Sequence, residues 1–218
     1  MRRDGAVPYV LPFVVFVVLL GIQQVIPVPA WLRFAISAAV ILAVSRPVLR
    51  GAPSKPLSSV LIGIAVFVIW VGPDYLVPSW HHQLVFDNAI LGHPAGNTPP
   101  DAKSDPIFLL FRIAISALAV PILEELFWRG WLMRWIIDPH HFESLPLGSY
   151  SPMAFWCVAV LFASEHGPYW DVGLLAGIIY NWWMIRTRNL WDCILAHAVT
   201  NGILAAYVIG AGQWQYWL

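Results

Sequence analysis

Long apolar runs constrain the fold of this chain more than any other feature of its sequence. Seven runs are separated by polar, proline-rich or glycine-rich stretches, and they span residues 7–26, 31–44, 57–77, 107–137, 153–166, 172–185 and 190–209. A helix of about 20 apolar residues crosses the hydrocarbon of a bilayer, and the longer runs reach that length. Because lipid offers no partner to backbone polar groups, each run is expected to be helical. The sequence predicts an all-α, polytopic transmembrane helix bundle of about seven spans.

The composition agrees with a membrane protein. Hydrophobic residues make up 59% of the 218 residues and charged residues 11%, whereas soluble domains average about 25% charged residues. Thirteen tryptophans suit the aromatic belts at the two bilayer surfaces. The formal net charge is zero, so no nucleic-acid partner is indicated. The lipid bilayer is therefore the expected environment.

The distribution of basic residues predicts the orientation in the membrane. When the loops are assigned to alternate sides, nine of the 12 Arg and Lys side chains fall on the side of the N-terminus. Cytoplasmic loops are enriched in Arg and Lys, so the N-terminus is expected to be cytoplasmic. We interpret the chain as an integral protein of a bacterial inner (cytoplasmic) membrane. The three basic residues on the opposite side are Arg33, Lys103 and Arg112.

The fourth run, 107–137, is longer than a bilayer requires. Its 31 residues would form a helix of about 46 Å, so it is expected to tilt, break or run partly along the surface. Pro121 is the expected kink, because proline lacks a backbone donor and clashes with the preceding turn. A split at this point would raise the number of spans to eight.

Two adjacent carboxylates and an arginine lie inside this fourth run. Glu125 and Arg129 are spaced i and i+4, which places them on one helix face and suits an ion pair. Glu124 lies roughly 100° around the helix, so it cannot share that arginine. A charge at this depth costs about 2.5–3.5 kcal/mol on the mildest insertion scale, so an unpaired Glu124 indicates a functional site.

Further polar side chains lie in two later runs. His166 ends the fifth run, and His197 and Asn201 share a face of the seventh at i and i+4. From their depths we expect them to meet Glu124 in a central polar cavity. A carboxylate and an imidazole can activate water, and an imidazole and an amide can stabilise an oxyanion. Glu124, His166 and His197 could alternatively ligate a metal ion such as zinc.

The only long polar stretch, residues 78–105, contains three histidines. Their spacing matches no standard set of metal ligands. We therefore expect a solvated surface loop here.

Three motifs occur in order on separate predicted spans. They are Glu124-Glu125-x-x-x-Arg129, Phe162-x-x-x-His166 and His197-x-x-x-Asn201. In this order they resemble the motifs of the CAAX-protease and bacteriocin-processing (CPBP, or Abi) family of intramembrane proteases. The overall size is also similar to the bacterial CAAX prenyl protease-related subgroup found with exosortase protein-sorting systems. The resemblance covers about residues 106–210. We therefore divide the chain into a three-span region with its polar loop (1–105), a catalytic bundle (106–210) and an interfacial tail (211–218).

The resemblance implies an endopeptidase whose site lies within the helix bundle. By position, Glu124 and His166 would activate water, His197 and Asn201 would form the oxyanion site, and Glu125 with Arg129 would brace the helix. The family is described both as zinc-dependent and as a glutamate-type protease without a catalytic metal. We favour the glutamate type, because the zinc helix signature His-Glu-x-x-His is absent from the sequence.

The substrate implied is a membrane-tethered or hydrophobic peptide, either lipidated or carrying a C-terminal signal. Two other function classes remain open. A non-enzymatic membrane scaffold or immunity protein could keep the same residues as a buried polar network. A proton-coupled transporter could use Glu124 and the histidines as a relay, although the sequence lacks the internal repeats typical of such transporters.

Overall fold

The structure is a computed structural model that describes residues 5–96 and 98–217. Within these two ranges seven long helices form the bundle, and no strand occurs. They are α1 (Val7–Gln23), α2 (Ala30–Ser45), α3 (Pro56–Leu76), α4 (Pro106–Ile137), α5 (Pro152–Ser164), α6 (Trp170–Thr187) and α7 (Leu190–Ala211). The predicted all-α helix bundle is confirmed.

The helices suit a membrane environment. Three of them, α3, α4 and α7, are long and apolar enough to cross a bilayer. The helices α1, α2 and α5 are shorter and also apolar. With its large apolar surface, the bundle is that of an integral membrane protein.

The long helix α4 does not break at Pro121. It continues over 32 residues, but two stretches of π-helix interrupt its α-helical geometry, at Ile115–Ala119 and Leu126–Leu132. The first stretch ends two residues before Pro121, where wider turns accommodate a residue that cannot donate a backbone hydrogen bond. The six residues Val120–Glu125 between the two stretches are α-helical and carry both glutamates.

The fifth helix ends earlier than the apolar pattern predicts. Helix α5 stops at Ser164, and His166 lies in the turn that follows. Gly167 there has a left-handed φ of +50°, and Pro168 cannot continue the hydrogen-bond ladder. The expectation that His166 lies within the fifth span is therefore wrong by two residues.

Close helix contacts hold the bundle together. A Cβ atom on Gly63 of α3 would lie only 2.4 Å from the carbonyl oxygen of Ala196 on α7. A Cβ on Gly177 of α6 would lie 3.2 Å from the Cα of Ala159 on α5. Such small residues let helix backbones approach closely in membrane proteins. The motif-bearing helix α7 is thereby fixed against α3 of the N-terminal region.

The loop after α3 is anchored by a histidine. His81 is only 1% exposed; its Nε2 lies 3.0 Å from Asp171 Oδ1, and its Nδ1 lies 2.8 Å from Asp74 Oδ2. Burial opposes its positive charge, but the contacts with Asp171 and Asp74 prevail and raise the pKa of His81 to about 9. The expectation of a wholly solvated loop is wrong at His81, because two carboxylates compensate for its burial.

Candidate active site

Four polar side chains that the motifs single out line one cavity inside the bundle. Glu124, His166, His197 and Asn201 all border this space of about 260 Å³. Apolar and aromatic side chains from α1 and α3 form much of the remaining wall: Phe13, Phe16, Val17, Leu20, Val66 and Trp70. A largely apolar pocket with a few convergent polar groups is typical of an active or binding site.

The second glutamate of α4 belongs to a buried ion pair. Arg129 Nη1 donates to Glu125 Oε1 at 3.1 Å, and both residues are fully buried. Arg129 Nε also donates to Asn181 Oδ1 at 2.9 Å, which links α4 to α6. The guanidinium carbon lies 4.4 Å from the centre of the Phe162 ring. These contacts hold the helix segment that carries both glutamates.

His197 contacts both glutamates from the opposite helix. Its Nδ1 lies 2.9 Å from Glu125 Oε1, so that nitrogen carries the proton and donates to the carboxylate. Its Nε2 lies 4.0 Å from Glu124 Oε2. The imidazole stacks on the ring of Tyr180, with the centroids 5.1 Å apart and an interplanar angle of 23°. The carboxylate of Glu125 and the ring of Tyr180 thus set the orientation of the His197 imidazole, and its Nε2 faces Glu124.

His166 is held in a single tautomer. Its Nδ1 lies 2.8 Å from the carbonyl oxygen of Phe162. Because a carbonyl can only accept, Nδ1 carries the proton and Nε2 is left as the basic nitrogen. The ring packs against Phe162 and Trp70. A Cβ atom on Gly173 would lie 3.1 Å from His166 Nδ1, so the imidazole lies tightly against α6.

The amide of Asn201 is also fixed. Its Nδ2 donates to the carbonyl oxygen of Ser116 at 2.8 Å. That carbonyl belongs to the first π-helical stretch of α4, where the helical hydrogen-bond pattern is altered. One hydrogen of the amide is used in this contact, and the other remains available as a donor.

Glu124 has an unsatisfied oxygen. Its side chain is 13% exposed, and its buried Oε2 has no hydrogen-bond partner in the protein. Buried polar atoms are normally paired with protein or with ordered water. The atom therefore marks the position in the cavity where a water molecule or a substrate group would bind.

Sequence reasoning missed several residues of the site. Tyr180 and Thr200 share a hydrogen bond of 2.7 Å, and Thr200 donates to the carbonyl oxygen of Gly63 at 2.9 Å. Thr200 follows His197 by three residues, and residues at this spacing share a helix face. This spacing could have indicated that Thr200 lies beside the site. Glu165 and Arg112 also line the cavity. Their location could not be read from the sequence, because it depends on how the helices pack.

The described side chains form no ready metal site. Within residues 5–96 and 98–217, no group of three or more His, Cys, Asp or Glu is arranged to hold a metal ion. The suggested zinc ligands Glu124, His166 and His197 do not form such a group. Nδ1 of each histidine is already engaged. Zinc binding stays a prediction.

The three motifs lie within one family match. Residues 106–203 match the family described as "Rce1-like: Type II CAAX prenyl endopeptidase Rce1-like". The similarity thus covers 98 of the 218 residues. The resemblance to the CPBP/Abi proteases is thereby confirmed, and the match supports a membrane-embedded endopeptidase. No curated protein and no solved structure matches the chain.

Proposed function

We propose that the protein is an intramembrane endopeptidase that hydrolyses a peptide bond in a membrane-associated protein, at a lipidated site or a C-terminal signal. The observation that carries this proposal is the convergence of Glu124, His166, His197 and Asn201 on one cavity. These residues belong to a segment that matches an endopeptidase family. The apolar wall contributed by α1 supports a hydrophobic or lipid-modified substrate.

Glu124 and His166 would activate the attacking water. The unpaired Glu124 Oε2 is a free acceptor in the cavity, and the tautomer of His166 leaves Nε2 as a second acceptor. A water between them would give up one proton to the carboxylate as its oxygen attacks the peptide carbonyl. The new C–O bond forms, the C–N bond breaks, and Glu124 passes the proton to the leaving nitrogen.

Asn201 and His197 would stabilise the oxyanion. The second amide hydrogen of Asn201 is available because Ser116 engages only the first. Protonated His197 can donate from Nε2, while Nδ1 keeps its contact with Glu125. Donors fixed before the reaction stabilise developing charge without reorganisation, and the loss of one such donor costs about 10²–10³ in kcat.

A comparison of Glu124→Gln with the wild type tests this proposal. A membrane-anchored peptide reporter in liposomes should be cleaved by the wild-type protein, and the variant should lose turnover by a factor of at least about 10². Its unfolding temperature should stay the same or rise, because the variant removes a buried carboxylate with an unpaired oxygen. A non-enzymatic scaffold would show no wild-type turnover, and proton flux across the liposome membrane that stops in Glu124→Gln would support the transporter instead.

A further inference from the structure

A polar pocket adjoins the proposed catalytic cavity at one end of the bundle. It has a volume of about 520 Å³ and lies between the end of α3, the loop that follows it and the segment after α7. Tyr75 and His82 in its wall are exposed. Much of the remaining lining is polar: Asp74, His81, Gln213 and Gln215. Irregular backbone of this kind faces water or protein and not lipid, so the polar pocket is accessible to water.

Two tyrosines separate the polar pocket from the catalytic cavity. Tyr169 and Tyr216 line both spaces, both are buried, and their ring centroids are 5.4 Å apart. The Tyr216 hydroxyl donates to Asp74 Oδ2 at 2.9 Å, and the Tyr169 hydroxyl donates to the carbonyl oxygen of Gln215 at 3.2 Å. Both acceptors belong to residues of the polar pocket. Two hydrogen bonds thus hold the tyrosine pair in place between the two spaces.

The tyrosine pair lies beside one of the proposed reacting groups. The backbone N–H of Tyr169 donates to the carbonyl oxygen of His166 at 3.0 Å, so the two residues belong to one turn. His166 supplies the basic Nε2 that would accept a proton or hydrogen bond from the attacking water. A water molecule that passes the tyrosine pair therefore arrives next to this histidine.

Another pocket meets the catalytic cavity farther from the reacting groups. This pocket of about 440 Å³ lies beside the end of α1, and Leu20, Arg112 and Trp217 are the residues that it shares with the cavity. Arg112 precedes Glu124 by 12 residues, which is about 18 Å along a helix. Water entering there would have to cross the length of the cavity, whose walls from α1 and α3 are largely apolar.

We propose that water reaches Glu124 and His166 from the polar pocket, through a gate formed by Tyr169 and Tyr216. This inference rests on the proposed function and identifies the source of the water that hydrolysis consumes. A tyrosine hydroxyl can donate and accept a hydrogen bond, so the pair can hand water onward while its rings exclude lipid chains. Opening the gate requires the hydrogen bond between Tyr216 and Asp74 to break.

The gate is tested by the rate at which a polar reagent reaches a thiol in the catalytic cavity. Val120 lines the cavity one helical turn before Glu124, and Val120→Cys changes the side-chain volume little. The exposed Cys157 is replaced by serine, and the buried Cys193 remains as an internal reference. Iodoacetamide is suitable because it is small, polar and uncharged, and mass spectrometry follows its addition to each thiol in detergent.

Loosening the gate should accelerate labelling of Val120→Cys. Tyr216→Phe keeps the ring and removes the hydrogen bond to Asp74, which corresponds to about 10- to 100-fold in the equilibrium between the closed and open gate. The labelling rate should rise by a similar factor. Tyr207→Phe is the matched control, because Tyr207 lines the polar pocket but not the cavity. An equal rise in both variants would overturn the gate.

Narrowing the polar pocket should have the opposite effect. Gln213→Trp adds bulk to its wall, so labelling of Val120→Cys should slow towards the rate of the buried Cys193. Gln24→Trp adds similar bulk to the other pocket and should leave the rate unchanged. Slower labelling in Gln24→Trp and not in Gln213→Trp would overturn the proposal in favour of the other pocket.

Turnover separates failure of this inference from failure of the proposed function, because labelling requires no catalysis. With the membrane-anchored reporter, Gln213→Trp should lower kcat without changing KM, and Gln24→Trp should change neither. The expected labelling pattern without wild-type turnover would support the water route and contradict the protease. Normal turnover together with labelling that Gln213→Trp leaves unchanged would overturn the gate while the protease stands.

Discussion

Replacing Glu125 with glutamine removes the negative charge from the buried ion pair of α4. Arg129 is fully buried, and its other acceptors are the neutral oxygens of Asn181 and Gly177. The variant leaves the guanidinium without a counter-charge, and breaking a buried pair in this way costs about 3–5 kcal/mol. The amide oxygen of the new side chain can still accept one hydrogen bond, so a value near the lower end is expected.

This loss of stability should be visible in thermal unfolding. For domains of about 150–250 residues, 1 kcal/mol shifts Tm by about 2–4 °C, so Glu125→Gln should lower Tm by about 10 °C. Intrinsic fluorescence in detergent is a suitable probe, because the chain contains 13 tryptophans. Glu143→Gln is the control. Glu143 is exposed, and a surface substitution should change stability by no more than about 0.5 kcal/mol.

The adjacent glutamate should behave in the opposite way. Glu124→Gln removes a buried carboxylate that has an unpaired oxygen, so its Tm should stay the same or rise while turnover is lost. A stable Glu125→Gln together with an unstable Glu124→Gln would refute the division of roles between the two residues.

Three further predictions concern the histidines and the oxyanion site. In the folded protein the pKa of His81 is raised to about 9 from an ordinary value of about 6.5. Protonated His81 therefore stabilises the folded state by about 3 kcal/mol below pH 6.5, and this stabilisation is lost as the pH rises through 9. The Tm of the wild type should fall over this pH interval. The same fall of Tm with pH in His81→Gln would show that His81 is not the group responsible. Gly173→Ala should displace the His166 ring and lower kcat about tenfold, whereas Gly210→Ala, which meets nothing within 4 Å, should not. Asn201→Ala should lower kcat by about 10²–10³ with little change in KM, and an effect on KM alone would argue against an oxyanion role.

Much of the architecture follows from the sequence, because apolar runs in lipid have few alternatives to a helix. The spacing of Glu125 and Arg129 within one helix was also sufficient to predict that they lie on one face. The contact between His197 and Glu125 was not predictable. It depends on the rotation of α7 against α4, which packing against α3 and α6 determines. The π-helical turns of α4 alter that rotation again, and no residue pattern in the sequence indicates them.

The burial of His81 was missed for a related reason. Its carboxylate partners, Asp74 and Asp171, lie 7 and 90 residues away. Only the contact with Asp171 is long-range, and it exists because the end of α3 and the beginning of α6 lie on the same side of the bundle. Sequence spacing describes neighbours along one helix, but it does not report which helix ends meet.

The part of the cavity wall that α1 contributes bears on how such a protease could acquire new substrates. The family match begins at residue 106, yet α1 supplies Phe13 and Phe16 to the cavity wall. The helix α3 supplies the carbonyl that anchors Thr200 beside His197 and Asn201. The proposed reacting groups and part of the cavity wall thus come from different parts of the chain. Substitutions in α1 could remodel this wall and leave the proposed hydrolytic groups on α4 and α7 in place, so that one reaction could serve different membrane-associated substrates.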